Sequence, residues 1–132
     1  MSILIGSTNY TTSFNEDISG WDTSKVTNMQ EMFSNAQSFN QDISDWDVSS
    51  VINMKYMFWN CLLFNQPLDS WNTGKVSNMS YMFNQATVFN QNISGWNTAK
   101  VSTMQNMFYS ESNSGSSQMV FNQDISGWNV SK

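Results

Sequence analysis

A 25-residue period governs this chain more tightly than any motif within it. Phe14-Asn15, Phe39-Asn40, Phe64-Asn65 and Phe89-Asn90 recur at steps of 25 residues, and Phe121-Asn122 follows after 32. Trp21, Trp46, Trp71 and Trp96 keep the same step, with Trp128 again after the longer one. The excess lies in Tyr109-Ser110-Glu111-Ser112-Asn113-Ser114-Gly115-Ser116-Ser117, which reads as a Ser-rich loop. Independent beads would let loop lengths drift, whereas units packed in register on one another hold their length. The chain therefore divides into a lead-in or partial cap (1–13) and a single repeat domain (14–132), with units 14–38, 39–63, 64–88, 89–120 and a partial 121–132. One unit cannot fold alone. Its roughly eight apolar side chains, worth about 1.5–3 kcal/mol each on burial, fall short of an ordering cost of about 1.5 kcal/mol per residue.

Within each unit, Val26, Met29, Met32, Phe33 and Ala36 are spaced like one stripe of an amphipathic helix. The stripe returns as Val51, Met54, Met57, Phe58, Cys61, as Val76, Met79, Met82, Phe83, Ala86, and as Val101, Met104, Met107, Phe108. Thr23 and Ser24 stand where a helix cap would accept from free amides. The segment from Phe39 to Trp46 is short and predicts a strand of three or four residues around Ile43. The expected fold is an α/β repeat solenoid: about five 25-residue units, each with one short parallel β-strand and one short helix.

The run Phe39-Asn40-Gln41-Asp42-Ile43-Ser44-x-Trp46-Asp47-Val48-Ser49, followed by Val51-x-Asn53-Met54-x-x-Met57-Phe58, resembles a known bacterial surface-protein repeat of similar length. It is the repeat of the BspA-like leucine-rich-repeat surface proteins, also catalogued as a mycoplasma-type domain of unknown function. The resemblance covers residues 14–132. It implies a leucine-rich-repeat-like solenoid at the cell surface or outside the cell, as part of a larger exported protein, with adhesion or matrix binding rather than catalysis as its task.

Composition narrows the function further. Charged residues are 11% of the chain, the net charge is -5, and arginine and histidine are absent. Such a chain has no cationic stripe for nucleic acid and lacks the commonest general base and metal ligand. The single cysteine, Cys61, shares its slot with Ala36 and Ala86 and has no histidine to activate it. No apolar run is long enough to span a membrane, and Met1-Ser2-Ile3-Leu4-Ile5-Gly6 lacks the basic start of a secretory signal. Eight of the ten methionines occupy two fixed stripe slots, so core packing accounts for them. No enzyme, cofactor or metal site is expected; Asp42, Asp45 and Asp47 leave only weak calcium binding open. Asn40, Asn65, Asn90 and Asn122 read as a buried ladder that satisfies turn amides. A Thr23, Thr73, Thr98 row resembling an ice-binding array is broken by Val48 and Val130.

The informative positions vary while the apolar slots stay fixed. One slot reads Glu31, Tyr56, Tyr81, Asn106; the slot three residues on reads Ser34, Trp59, Asn84, Tyr109. With the corner residue Leu63, these place Tyr56, Trp59, Leu63, Tyr81 and Tyr109 as candidate partner-binding residues. The expected function is a non-catalytic, adhesin-type module that binds a protein or another extracellular macromolecule. The alternative is a structural protein that associates head-to-tail through uncapped ends.

Overall fold

The computed structural model describes residues 13–111 and 118–131. The lead-in up to residue 12, residues 112–117 of the Ser-rich loop and Lys132 lie outside the described residues. Each 25-residue period forms one coil made of linked tight turns. In the first coil (14–38) the amides of Trp21, Val26, Met32, Ser34, Ala36 and Phe39 each donate to the carbonyl three residues back. Asp and Asn side chains set the turns at the outer corners. Asp17 and Asp22 accept the amides of Ser19 and Ser24, and Asp42 and Asp47 those of Ser44 and Ser49. Asn92 and Asn97 repeat the geometry on Ser94 and Ala99. A short carboxylate or carboxamide closing onto the amide two residues on is an Asx turn, which explains why Asp and Asn interchange at these slots.

A second set of amides reaches the next coil. Met29, Glu31, Phe33 and Asn35 donate to the carbonyls of Asn53, Lys55, Met57 and Trp59 at 2.8–2.9 Å. Met54, Tyr56, Phe58 and Asn60 do the same to Asn78, Ser80, Met82 and Asn84, and Met79, Tyr81, Phe83 and Gln85 to Thr103, Gln105, Met107 and Tyr109. Parallel bridges link Asn28 to Asn53, Asn53 to Asn78 and Asn78 to Thr103. Alternate residues can point their amides along the stack because Glu31, Asn35, Tyr56, Asn60, Tyr81, Gln85 and Asn106 hold φ between 52° and 63°.

Aromatic columns fill the interior. Phe33, Phe58, Phe83 and Phe108 stack at 5.5–5.7 Å, and Phe14, Phe39, Phe64, Phe89 and Phe121 at 5.7–6.1 Å. The two columns interleave, with Phe33 on Phe39 at 4.1 Å and Phe83 on Phe89 at 4.0 Å. The Trp46, Trp71, Trp96 and Trp128 indoles donate to the carbonyls of Ile18, Ile43, Leu68 and Ile93 in the preceding coil. Met29, Met32, Met54, Met57, Met79 and Met82 are fully buried among them. The stack resumes in register beyond the Ser-rich loop: Phe121 lies on Phe89 and Trp128 on Trp96.

This architecture overturns the α/β expectation. Among the described residues there is no helix, and the strand content is limited to the isolated bridges. Residues 24–36 are turns and ladder rather than helix, because left-handed residues at Glu31 and Asn35 interrupt any helical run. Packed helices need 8–10 Å between axes, while the Phe columns advance by 5.5–6.1 Å per coil. Thr23 does not cap a helix; its hydroxyl donates to the Asp47 carbonyl of the next coil. Nor is there a strand around Ile43, where the chain turns so that Trp46 donates to the Ile43 carbonyl. The leucine-rich-repeat pattern of one strand and one helix per unit therefore does not describe this chain.

Candidate functional site

Four of the five candidate residues meet in one open groove on the side of the stack. Tyr56, Trp59, Tyr81 and Tyr109 line it with Asn84, Gln85, Asn106 and Glu111, around about 360 Å³. The ladder dictates this convergence. Tyr56 and Tyr81 occupy the same left-handed slot of successive coils, so their side chains emerge one above the other. Their rings stack at 4.6 Å, and the Trp59 indole meets Tyr56 edge-on at 6.2 Å. The Lys55 ammonium sits 5.1 Å from the Tyr56 ring centre, a cation–π contact.

Carboxamides hold this cluster in place. Trp59 Nε1 donates to Asn84 Oδ1 at 3.1 Å, and Asn84 Nδ2 donates to the Asn106 carbonyl at 3.3 Å. Tyr56, Trp59 and Tyr81 are half-buried and Tyr109 is exposed. Leu63 is exposed as well, but it stands apart from the groove lining, its amide donating to the Gln37 carbonyl. Asn84, Gln85, Asn106 and Glu111 line the groove without having been candidates. Asn106 shares the slot of Tyr56 and Tyr81 in the fourth coil, and that shared register was the available signal.

Other candidate chemistry resolves into structural roles. Cys61 is buried, its Sγ donates to the Phe33 carbonyl at 3.0 Å, and burial pushes its thiol far up from its ordinary value. Near Asp42, Asp45 and Asp47, two of the carboxylates serve Asx turns. Among the described residues no three acidic, cysteine or histidine side chains gather closely enough to hold a metal ion. The Asn15, Asn40, Asn65 and Asn90 side chains each accept the backbone amide of the Asn in the next coil, at 2.9–3.0 Å. That ladder satisfies amides, but it lies at the surface rather than buried. Thr23, Thr73 and Thr98 are buried, so the row cannot face ice. No helix among the described residues is long and apolar enough to cross a membrane.

The chain belongs to the family described as Mycoplasma protein of unknown function, DUF285, which matches it over residues 4–118 and 64–132. No curated protein and no solved structure matches the chain.

Proposed function

We propose that this chain is a non-catalytic binding module that recognises a macromolecular partner through the face formed by Tyr56, Trp59, Tyr81 and Tyr109. One observation carries the reading: aromatic side chains from three successive coils converge on a single groove while the apolar slots beneath them barely change. Half-exposed tyrosine and tryptophan grouped in this way are the side chains that dominate interface energies. In this reading the module works at the cell surface or outside the cell, within a larger exported protein of the BspA-like adhesin type. Its partner is a protein or another extracellular macromolecule. Binding of the purified chain to immobilised matrix proteins and mucin tests this. Tyr56→Ala with Trp59→Ala is expected to weaken binding at least tenfold without changing the far-ultraviolet circular dichroism. Undiminished binding by a folded double variant contradicts the reading.

A second reading, end-to-end association of copies, also has an observation behind it. Among the described residues the amides of Met104, Asn106 and Phe108 meet no acceptor. Met104 and Phe108 are only partly buried, whereas Met29, Met54, Phe33 and Phe58 in the same slots are fully buried. An unpaired ladder edge is a template for a further coil, whether of the same chain or of another copy. Electron microscopy of concentrated protein separates the readings: filaments favour association, and single short particles oppose it.

A further inference from the structure

We propose that the groove takes the pyranose ring of a neutral glycan, seated against Tyr81 where Asn106 stands in the place of a third tyrosine. This deepens the binding-module reading and rests on it. Tyr56 and Tyr81 begin a column of rings along the left-handed slot, at 4.6 Å, with the Lys55 ammonium over the Tyr56 ring. One coil further, the shorter Asn106 side chain stands in that slot, and it lines the same groove as Tyr81 and Tyr109. Tyr81 has Tyr56 as its ring partner and no second one among the described residues. A ring-shaped ligand therefore continues a column the protein has started.

The groove's polar groups choose which ring. The Gln85 and Asn106 side-chain carboxamides line it, and neither has a hydrogen-bond partner among the described residues. A purely aromatic guest would strip water from both and leave them unpaired, which is unfavourable. A pyranose instead lays its C–H face on tyrosine and offers hydroxyls that both donate to and accept from carboxamides. Among the described residues no lysine lines the groove, and Glu111 is its one charged lining residue. Sulfated, sialylated or phosphorylated rings are therefore disfavoured on charge.

The test uses the intact chain against an array of neutral and acidic oligosaccharides, followed by saturation-transfer NMR with the neutral ones bound. At least one neutral glycan is expected to bind and to receive saturation from Tyr81, with acidic glycans at background. Tyr81→Ala is expected to reduce binding at least tenfold. Asn106→Tyr, which completes the column, is expected to abolish it in a protein that melts no lower than the parent. An array silent for neutral glycans overturns the proposal, as does full glycan binding by a folded Asn106→Tyr. Binding to enzymatically deglycosylated mucin that is lost in Asn106→Tyr also overturns the sugar, yet leaves a peptide-binding groove. Mucin binding indifferent to Asn106→Tyr and to the Tyr56→Ala, Trp59→Ala pair would instead remove the binding face itself.

Discussion

Among the described residues, seven non-glycine positions hold left-handed backbone: Glu31, Asn35, Tyr56, Asn60, Tyr81, Gln85 and Asn106. Such a conformation costs an ordinary L residue about 1–2 kcal/mol; here it turns the Glu31, Asn35 and equivalent amides onto carbonyls of the next coil. Asparagine tolerates this region better than most residues, and its recurrence at Asn35, Asn60 and Asn106 was a readable sign. The Thr23, Thr73 and Thr98 slot shows the same dependence on neighbours. Each hydroxyl is buried and donates to a carbonyl one coil on: Asp47, Asn97 and Asn129. In the second coil the slot holds Val48, also buried. Val48→Thr, normally a costly core change, is therefore expected to alter stability by less than about 0.5 kcal/mol, because the Asn72 carbonyl can accept its hydroxyl. Urea denaturation measures this; a loss above about 1.5 kcal/mol contradicts the shared geometry.

At the level of the turn, the apolar slots were legible and the backbone that carries them was not. Val26, Met29, Met32, Phe33, Ala36 and Phe39 are the ends of successive three-residue-back turns. A chain of such turns returns to the interior every three residues, so it reproduces the stripe of a helix. Periodicity alone cannot separate the two. The candidate site was legible for Tyr56, Trp59, Tyr81 and Tyr109 because variable slots in register must neighbour one another. Leu63 is not among the residues that line this groove, and its amide bonds back to the Gln37 carbonyl of the preceding coil. The Asx turns make a further prediction. Asp17, Asp42 and Asp124 are held below the ordinary carboxylate range chiefly by the amides of Ser19, Ser44 and Ser126, and Asp22 and Asp47 chiefly by the Ser24 and Ser49 side chains. A carboxyl that ionises more readily when folded stabilises the fold above its unfolded value of about 4, and that contribution disappears as pH falls through the lower folded value. Melting temperature is expected to be level from pH 7 to 5 and to fall below about pH 4. Replacing these five residues by asparagine, as Asn72, Asn92, Asn97 and Asn129 already stand in equivalent turns, should flatten the acid limb. An unchanged acid limb contradicts this role for the carboxylates.

Across the whole molecule, the polar and apolar systems run in the same direction. Phe and Trp columns stack coil upon coil, and the amides of Met29, Glu31, Phe33, Asn35 and their equivalents bond between coils rather than along a helix. The 25-residue step is thus a register that both systems share, which explains why the spacing admits a seven-residue excess at the Ser-rich loop and none between Phe14 and Phe89. Backbone NMR on the isotope-labelled chain tests the central claim most directly. The stacked-coil account predicts scalar couplings across the hydrogen bonds from Tyr56 N to the Ser80 carbonyl and from Phe58 N to the Met82 carbonyl, with no helical run of Cα shifts over residues 51–60. Couplings to carbonyls four residues back, with a continuous helical shift pattern through Met54, Met57 and Phe58, would contradict it.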